Sequence, residues 1–575
     1  MRRLLAPLVL TLALAASGCV GMPEEGPVVR TGARGSGEQA DAMTINPLGP
    51  REGMSQSEIV RGFLDAMQAT PIRYDVARAF LTEAADAEWD PEAETITYTT
   101  ASAPSGTSQV VVRLEGGHRL DGRGAWQGVL PAAEAQLEFR VVVEDGQFRI
   151  DRAPDALVVP EWWFQQRYRQ VAVYFFDPTG RILVPDPVFV PKGKTLPSVL
   201  VRRLVAGPPA ALRDHVRTMV PLDVQPGFSV PVSASGVAEV ALTGETTMPT
   251  GTEVDLLLAQ LAWTLRQDRS ISRFRVTLNG TPVQRGGESD FAVASGEKYA
   301  PSVAGASTLL YGLRDGLVVS GTASDLTPVS GPLGTVDHGL RSVSPNLTGS
   351  QAAGVTLDGT RLVLSSLVGE DVPTRTLATR GTDLLEPAWD FADRLWVADR
   401  RPGGSVVSVL VGDRLRPVTV EGITGADVKR LLVSRDGTRL VAVVRRAGYD
   451  AVLTSRVVHD PSGRVRAVGP AEDITPVAGD GERIRSIVWR SPTTLVVQHP
   501  VTTELSRLRT IAVDGSPVLA EGMSGTRSGS IERLIGTPTP GTPTYAVTAD
   551  GLVDLTGPDV PIPVADGVSA VDFVG

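Results

Sequence analysis

Past Ala304 the chain repeats itself, and that repeat limits its fold more than any other feature. Leu384-Leu385-Glu386-Pro387-Ala388-Trp389, running on to Leu395-Trp396-Val397, matches Val428-Lys429-Arg430-Leu431-Leu432-Val433-Ser434 with Leu440-Val441-Ala442. Ile484-Arg485-Ser486-Ile487-Val488-Trp489 with Leu495-Val496-Val497 is a third copy, and weaker ones run through 352–364 and 545–552. Each unit reads as a strand, a tight turn such as Arg435-Asp436-Gly437-Thr438, and a second strand; Asp-Gly suits hairpin turns because both residues tolerate positive φ. Units about 44–56 residues apart predict a closed β-propeller of about six blades. An open solenoid needs capping repeats, and none is visible. Trp389 and Trp489 hold the same place in their copies and are expected to pack blade against blade.

Two smaller domains are expected upstream. Ser55 and Glu58 form a capping box, with Met54 and Ile59 as its hydrophobic staple, and Ile59, Phe63 and Met67 continue a helical stripe. A second helix is expected near Val76 to Ala85. The period then switches to two over 95–99, 109–114, 135–143 and 147–150, the last pair joined at Glu144-Asp145-Gly146. Helices followed by a curved antiparallel sheet resemble the nuclear-transport-factor-like α+β fold, assigned to 51–166. Trp162-Trp163, at the domain's end, reads as packing between domains. From Tyr168 to about 290 a second α/β unit is expected: a hairpin turning at Asp177-Pro178-Thr179-Gly180, a helix over Thr195 to Val205, and strands at 228–232 and 237–242. A helix from Thr252, capped with Asp255, and a strand over 274–278 complete it.

Cys19 is the single cysteine of 575 residues. Arg2-Arg3, an apolar run from Leu4 to Ala16 and Ser17-Gly18 precede it, the layout of a secretory signal. That run is about 13 residues, short of the roughly 17–25 that span a bilayer as a helix. Ala16-Ser17-Gly18-Cys19 resembles a lipobox, although Leu is commoner at its first position. The expectation is a signal peptide over 1–18, a lipid-bearing Cys19, and a flexible Gly- and Pro-rich tether to residue 50 that holds the folded body outside the membrane. With no other thiol, disulfides and thiolate metal sites are excluded. The formal charge of −10, without a basic run, argues against nucleic acid as a partner. His118, His215, His338, His459 and His499 are scattered, none at metal-ligand spacing from another. Gly339-Leu340-Arg341-Ser342-Val343-Ser344-Pro345 lacks the glycines of a nucleophile elbow. The Asp-Gly pairs at 358, 436, 514, 550 and 566 read as turns rather than calcium loops. Catalytic residues, cofactor and metal are all expected to be absent.

Leu204-Val205-Ala206-Gly207-Pro208, Val220-Pro221, Gln260-Leu261-Ala262-Trp263-Thr264-Leu265 and Val276-Thr277-Leu278-Asn279-Gly280 resemble the GerMN domain of germination and sporulation proteins, assigned to 167–290. That domain is non-enzymatic. With Cys19, the tether, the first α+β domain and a propeller assigned to 300–575, the whole order of features resembles the LpqB family of actinobacterial lipoproteins. The resemblance implies an accessory partner of an MtrA–MtrB-type two-component system, acting outside the membrane on the sensor histidine kinase in cell-envelope and division control. The residues leave two alternatives: a propeller that captures a glycan or peptide, or an envelope hydrolase with its site on propeller loops.

Overall fold

The computed structural model describes residues 45–369, 372–377, 381–475, 482–519, 523–558 and 560–575; Cys19 lies outside them. The molecule is mostly β, in three successive units.

The first is built on the helix Gln56–Ala66, whose capping box is formed: Ser55 Oγ accepts from the Glu58 backbone N–H, and Glu58 accepts from Ser55. Ile59, Val60, Phe63 and Leu64 face inward against two sheets. One orders Trp126–Val129, His118–Asp121, Glu94–Tyr98 and Leu157–Pro160; the other carries Gln109–Glu115, Gln136–Glu144 and Gln147–Arg152. The expected helix over 76–85 is instead two, Asp75–Arg78 and Glu83–Glu88, because Thr82 takes an extended conformation and caps the second through Ala85 N–H. The tryptophan pair splits. Trp163 is fully buried in this domain's own core and donates to the Gln68 carbonyl at 2.9 Å, while Trp162 is about half exposed.

The second unit opens with the hairpin Tyr168–Phe176 and Leu183–Pro191, its turn fastened by buried Asp177, which accepts from the backbone N–H groups of Thr179, Arg181 and Ile182. Helices Leu196–Val205 and Thr252–Leu265 pack on a sheet in which Val237–Gly244 and Arg273–Leu278 run parallel, joined through the second helix. Two expectations are corrected. The strand expected at 228–232 forms instead at Val224–Pro226, leaving Phe228 fully exposed. The helix begins after Gly251 with no side-chain cap, and Asp255 pairs with Arg285 at 2.6 Å.

Among the described residues the third unit is a ring of six antiparallel sheets from Leu310 to Asp572. A separate apolar cluster lies between each neighbouring pair, including the last sheet and the first. The ring closes covalently distant ends: Val568–Asp572 pairs antiparallel with Leu310–Arg314. Trp389 sits between the second and third sheets and Trp489 between the fourth and fifth, in matching register, paired with Leu395 and Leu495. The three strong sequence copies are the first two strands of their sheets. The weak copies at 352–364 and 545–552 are strands two and three, offset by one, which is why they align poorly.

Candidate binding surface: the propeller channel and the domain seams

The inner-edge strand of each sheet lines the central channel; in the first sheet this is the closing strand Val568–Asp572. Three residues before Trp389, Val433 and Gly536 stand Glu386, Arg430 and Arg533, and Asp572 on the closing strand joins them. Arg430 is hydrogen-bonded to Glu386 and lies 3.8 Å from Asp572; Arg533 is hydrogen-bonded to Asp572 and lies 3.9 Å from Glu386. Burial pushes the Glu386 carboxyl up, but Arg430 and Arg533 outweigh it and hold it below the usual carboxylate range. At Asp572 burial prevails over Arg533 and moves the carboxyl up. Each carboxylate is occupied by a guanidinium, an arrangement that fixes geometry and leaves neither carboxylate unpaired for proton abstraction.

Below this collar the channel is closed by Arg435. Its guanidinium donates to the carbonyls of Ser302 and Val574 at 2.6 and 3.2 Å, and to Thr539 and Thr537 Oγ1 at 2.8 and 2.6 Å. Burial without a carboxylate lowers its pKa to about 10, still a cation at neutral pH. The tight turns at this end face the second domain. Arg181 lies over the Phe391 ring at 5.4 Å, and Gln170 donates to Ser516 Oγ at 2.8 Å. His215 Nδ1 donates to the Val457 carbonyl at 3.1 Å. The first and second domains interlock similarly. Phe189 N–H donates to the Gly124 carbonyl at 2.7 Å, and Arg123 reaches the carbonyls of Arg203, Ala206 and Gly207 at the end of the helix Leu196–Val205, where a cation is favoured. A cleft of about 600 Å³ separates the first domain, at His118, Trp126 and Glu161, from the propeller at Glu472, Asp473 and Asp514.

The histidines are less dispersed than their spacing implies. His215 and buried His459 meet at the second seam, where burial and the charges of Arg394 and His215 push His459 down to about 3. The His118 ring lies tilted against Trp126, centroids 4.9 Å apart, and burial lowers its pKa. His499 lies 3.7 Å from Glu482. Among the described residues no three His, Cys, Asp or Glu side chains come together as a metal-ligand set. Ser344 is buried in the channel wall, its carbonyl accepting from the Trp389 indole at 2.8 Å. Asp358, Asp436 and Asp514 each accept from the backbone N–H two residues on, the Asx turn that the Asp-Gly pairs suggest. The collar is hard to see in the sequence because its members are 186 residues apart at the extremes and differ in sign; the repeat's register, three before the tryptophan position, is the signal that aligns Glu386, Arg430 and Arg533.

Residues 49–165 match the family model "Lipoprotein LpqB, N-terminal domain", 172–284 match "Sporulation and spore germination", and 316–556 match "Lipoprotein LpqB beta-propeller domain". Curated relatives named Lipoprotein LpqB include one from Streptomyces avermitilis, 27% identical with 94% of this chain and 93% of the relative covered. Another, from Mycolicibacterium smegmatis, is 28% identical with 87% and 88% covered. Among solved structures, a chain from a nidogen/laminin complex aligns over 46% of this chain and 98% of its own length, with TM-score 0.34 and 10% identity. Among the described residues no helix is long and apolar enough to cross a membrane. With the flanking domains both matched to models of the one family, the germination-type domain between them, and full-length relatives of that name, the chain belongs to the LpqB family of lipoproteins.

Proposed function

We propose that this protein is a lipoprotein anchored through Cys19 on the extracytoplasmic face of the cell membrane. There it regulates a sensor histidine kinase of the MtrB type by binding the kinase's extracytoplasmic domain. The observation that carries the reading is the likeness to LpqB lipoproteins over some nine-tenths of the chain. The interlocked domains support it: the first unit, nearest the tether, is fastened to the second, and the second to the propeller, so a partner held at one end meets a coherent surface. The paired channel carboxylates favour binding over hydrolysis. Regulation requires different affinities for the kinase's two signalling states, not tight binding alone. The test is capture of the full-length protein by the immobilised extracytoplasmic domain, with kinase autophosphorylation measured alongside. No capture, or capture without any change in kinase activity, refutes the reading. Cys19→Ser is expected to leave the membrane fraction or remain unprocessed; retention there with a normally cleaved N-terminus points to another anchor.

A further inference from the structure

Two buried donors in the propeller channel have no acceptor among the described residues. They are the indole N–H of Trp489, 8% exposed, and the Nε–H of Arg435, 4% exposed. Both side chains line the same floor chamber of about 40 Å³ beneath the collar. A buried donor without a partner is costly, so an acceptor placed in that chamber, a water or a ligand atom, would be stabilised there. None of the partners of Arg435 is a carboxylate.

The other side of the collar is a mouth chamber of about 260 Å³. Glu386 and Arg430 line both chambers, so the two meet at the collar. Lys429, Arg430, Arg485 and Arg533 line the mouth against a single carboxylate, Glu386. Arg430 is matched by Glu386, Arg533 by Asp572, and Lys429 by Asp427 at 2.8 Å. Among the described residues the Arg485 side chain has the Ile531 carbonyl, at 3.2 Å, and no carboxylate. Arg485 at the mouth and Arg435 at the floor are therefore held, among the described residues, by carbonyl and hydroxyl oxygens rather than by a carboxylate. The mouth lies at the opposite end of the inner strands from the turns that meet the second domain, so a ligand can reach it with all three units in place.

We infer that the propeller channel is a binding site for a small ligand carrying an oxyanion, a carboxylate or phosphate group seated against Arg485, Lys429 and Arg533. An acceptor of that ligand, or a water it traps, meets the floor donors Trp489 and Arg435. The mouth chamber is smaller than a drug-sized pocket, which fits a metabolite or the end of a short peptide. The site needs no kinase, so it stands or falls separately from the proposed partner.

The test is calorimetric titration of the full-length protein at low ionic strength with N-acetyl-glycyl-glycine, with its C-terminal amide, and with inorganic phosphate. Saturable binding of the free carboxylate or of phosphate is expected, weakening as NaCl is added. Carboxylate binding at least tenfold tighter than amide assigns the site to organic acids or peptide termini; phosphate binding alone assigns it to phosphorylated molecules. The double variant Lys429→Gln/Arg485→Gln is expected to lose at least tenfold in affinity with an unchanged melting temperature, since both side chains stand at the channel rim. No saturable binding of either oxyanion, or undiminished affinity in a folded double variant, overturns the inference.

Discussion

Asp186 and Arg435 are buried charges whose surroundings decide how they respond to change. Asp186, 5% exposed at the seam between second domain and propeller, has one carboxylate oxygen without a hydrogen bond. Burial pushes its pKa up to about 6, against the pull of Arg456, Arg123 and Arg439. A carboxyl whose folded pKa is raised favours the folded state most when protonated. Its contribution is full below the unfolded value of about 3.9 and lost as pH rises through about 6. The stability of the native protein relative to Asp186→Asn should therefore rise as pH falls from 6 to 4 and stay flat above about 7. Urea denaturation of the two proteins across that range checks it; a flat difference throughout refutes it. Arg435→Met should cost about 3 kcal/mol, since it strips four buried acceptors of their donor. Unfolding within about 0.5 kcal/mol of the native protein would show those bonds to be dispensable.

At the scale of elements, the closing strand Val568–Asp572 is the most exacting. Gly312 on its partner strand leaves no space: a Cβ there would stand 2.8 Å from Val568 Cγ1 and 3.0 Å from the Ser569 carbonyl. Gly312→Val is expected to force the closing strand outward at a cost of about 2 kcal/mol. Amide exchange should accelerate first over 568–572, while the inner strand Asp427–Val433 across the ring stays protected. Equal acceleration around the ring would mean the closure is not a local latch. The elements read well from sequence were those set by local chemistry: the Ser55 cap, the Asp145-Gly146 hairpin with both residues at positive φ, and the strong propeller copies. Those misplaced had competing local signals. Asp255 has the spacing of a cap but pairs with Arg285, and 228–232 alternates like a strand but exposes Phe228 and returns to the core at Val230, with a single bridge from Val232 to Ala238.

For the whole molecule, the seams fix how the three units act together. The segment before the propeller supplies the Ser302 carbonyl to Arg435, and the second domain reaches Phe391, Val457 and Ser516. An interface spread over the propeller and its neighbour predicts that a fragment ending near residue 300 loses most kinase capture while remaining membrane-bound. Full capture by that fragment would place the partner on the first two domains instead. The same pull-down assay, run with the fragment and the full-length chain side by side, separates these outcomes.

The sequence by itself determined what depends on neighbours in the chain: the hairpin repeat, many of the caps and turns, and the order of units. It could not show which charged residues meet. Glu386 just before the inner strand of the third sheet, Arg430 and Arg533 on those of the fourth and sixth, and Asp572 on the closing strand converge only because the sheets pack around a common axis. The same holds for Arg435 beneath them and for Asp186 at the seam. Local chemistry sets a strand or a turn, but ring closure and domain docking set the distances between residues far apart in sequence, and the channel exists only at those distances.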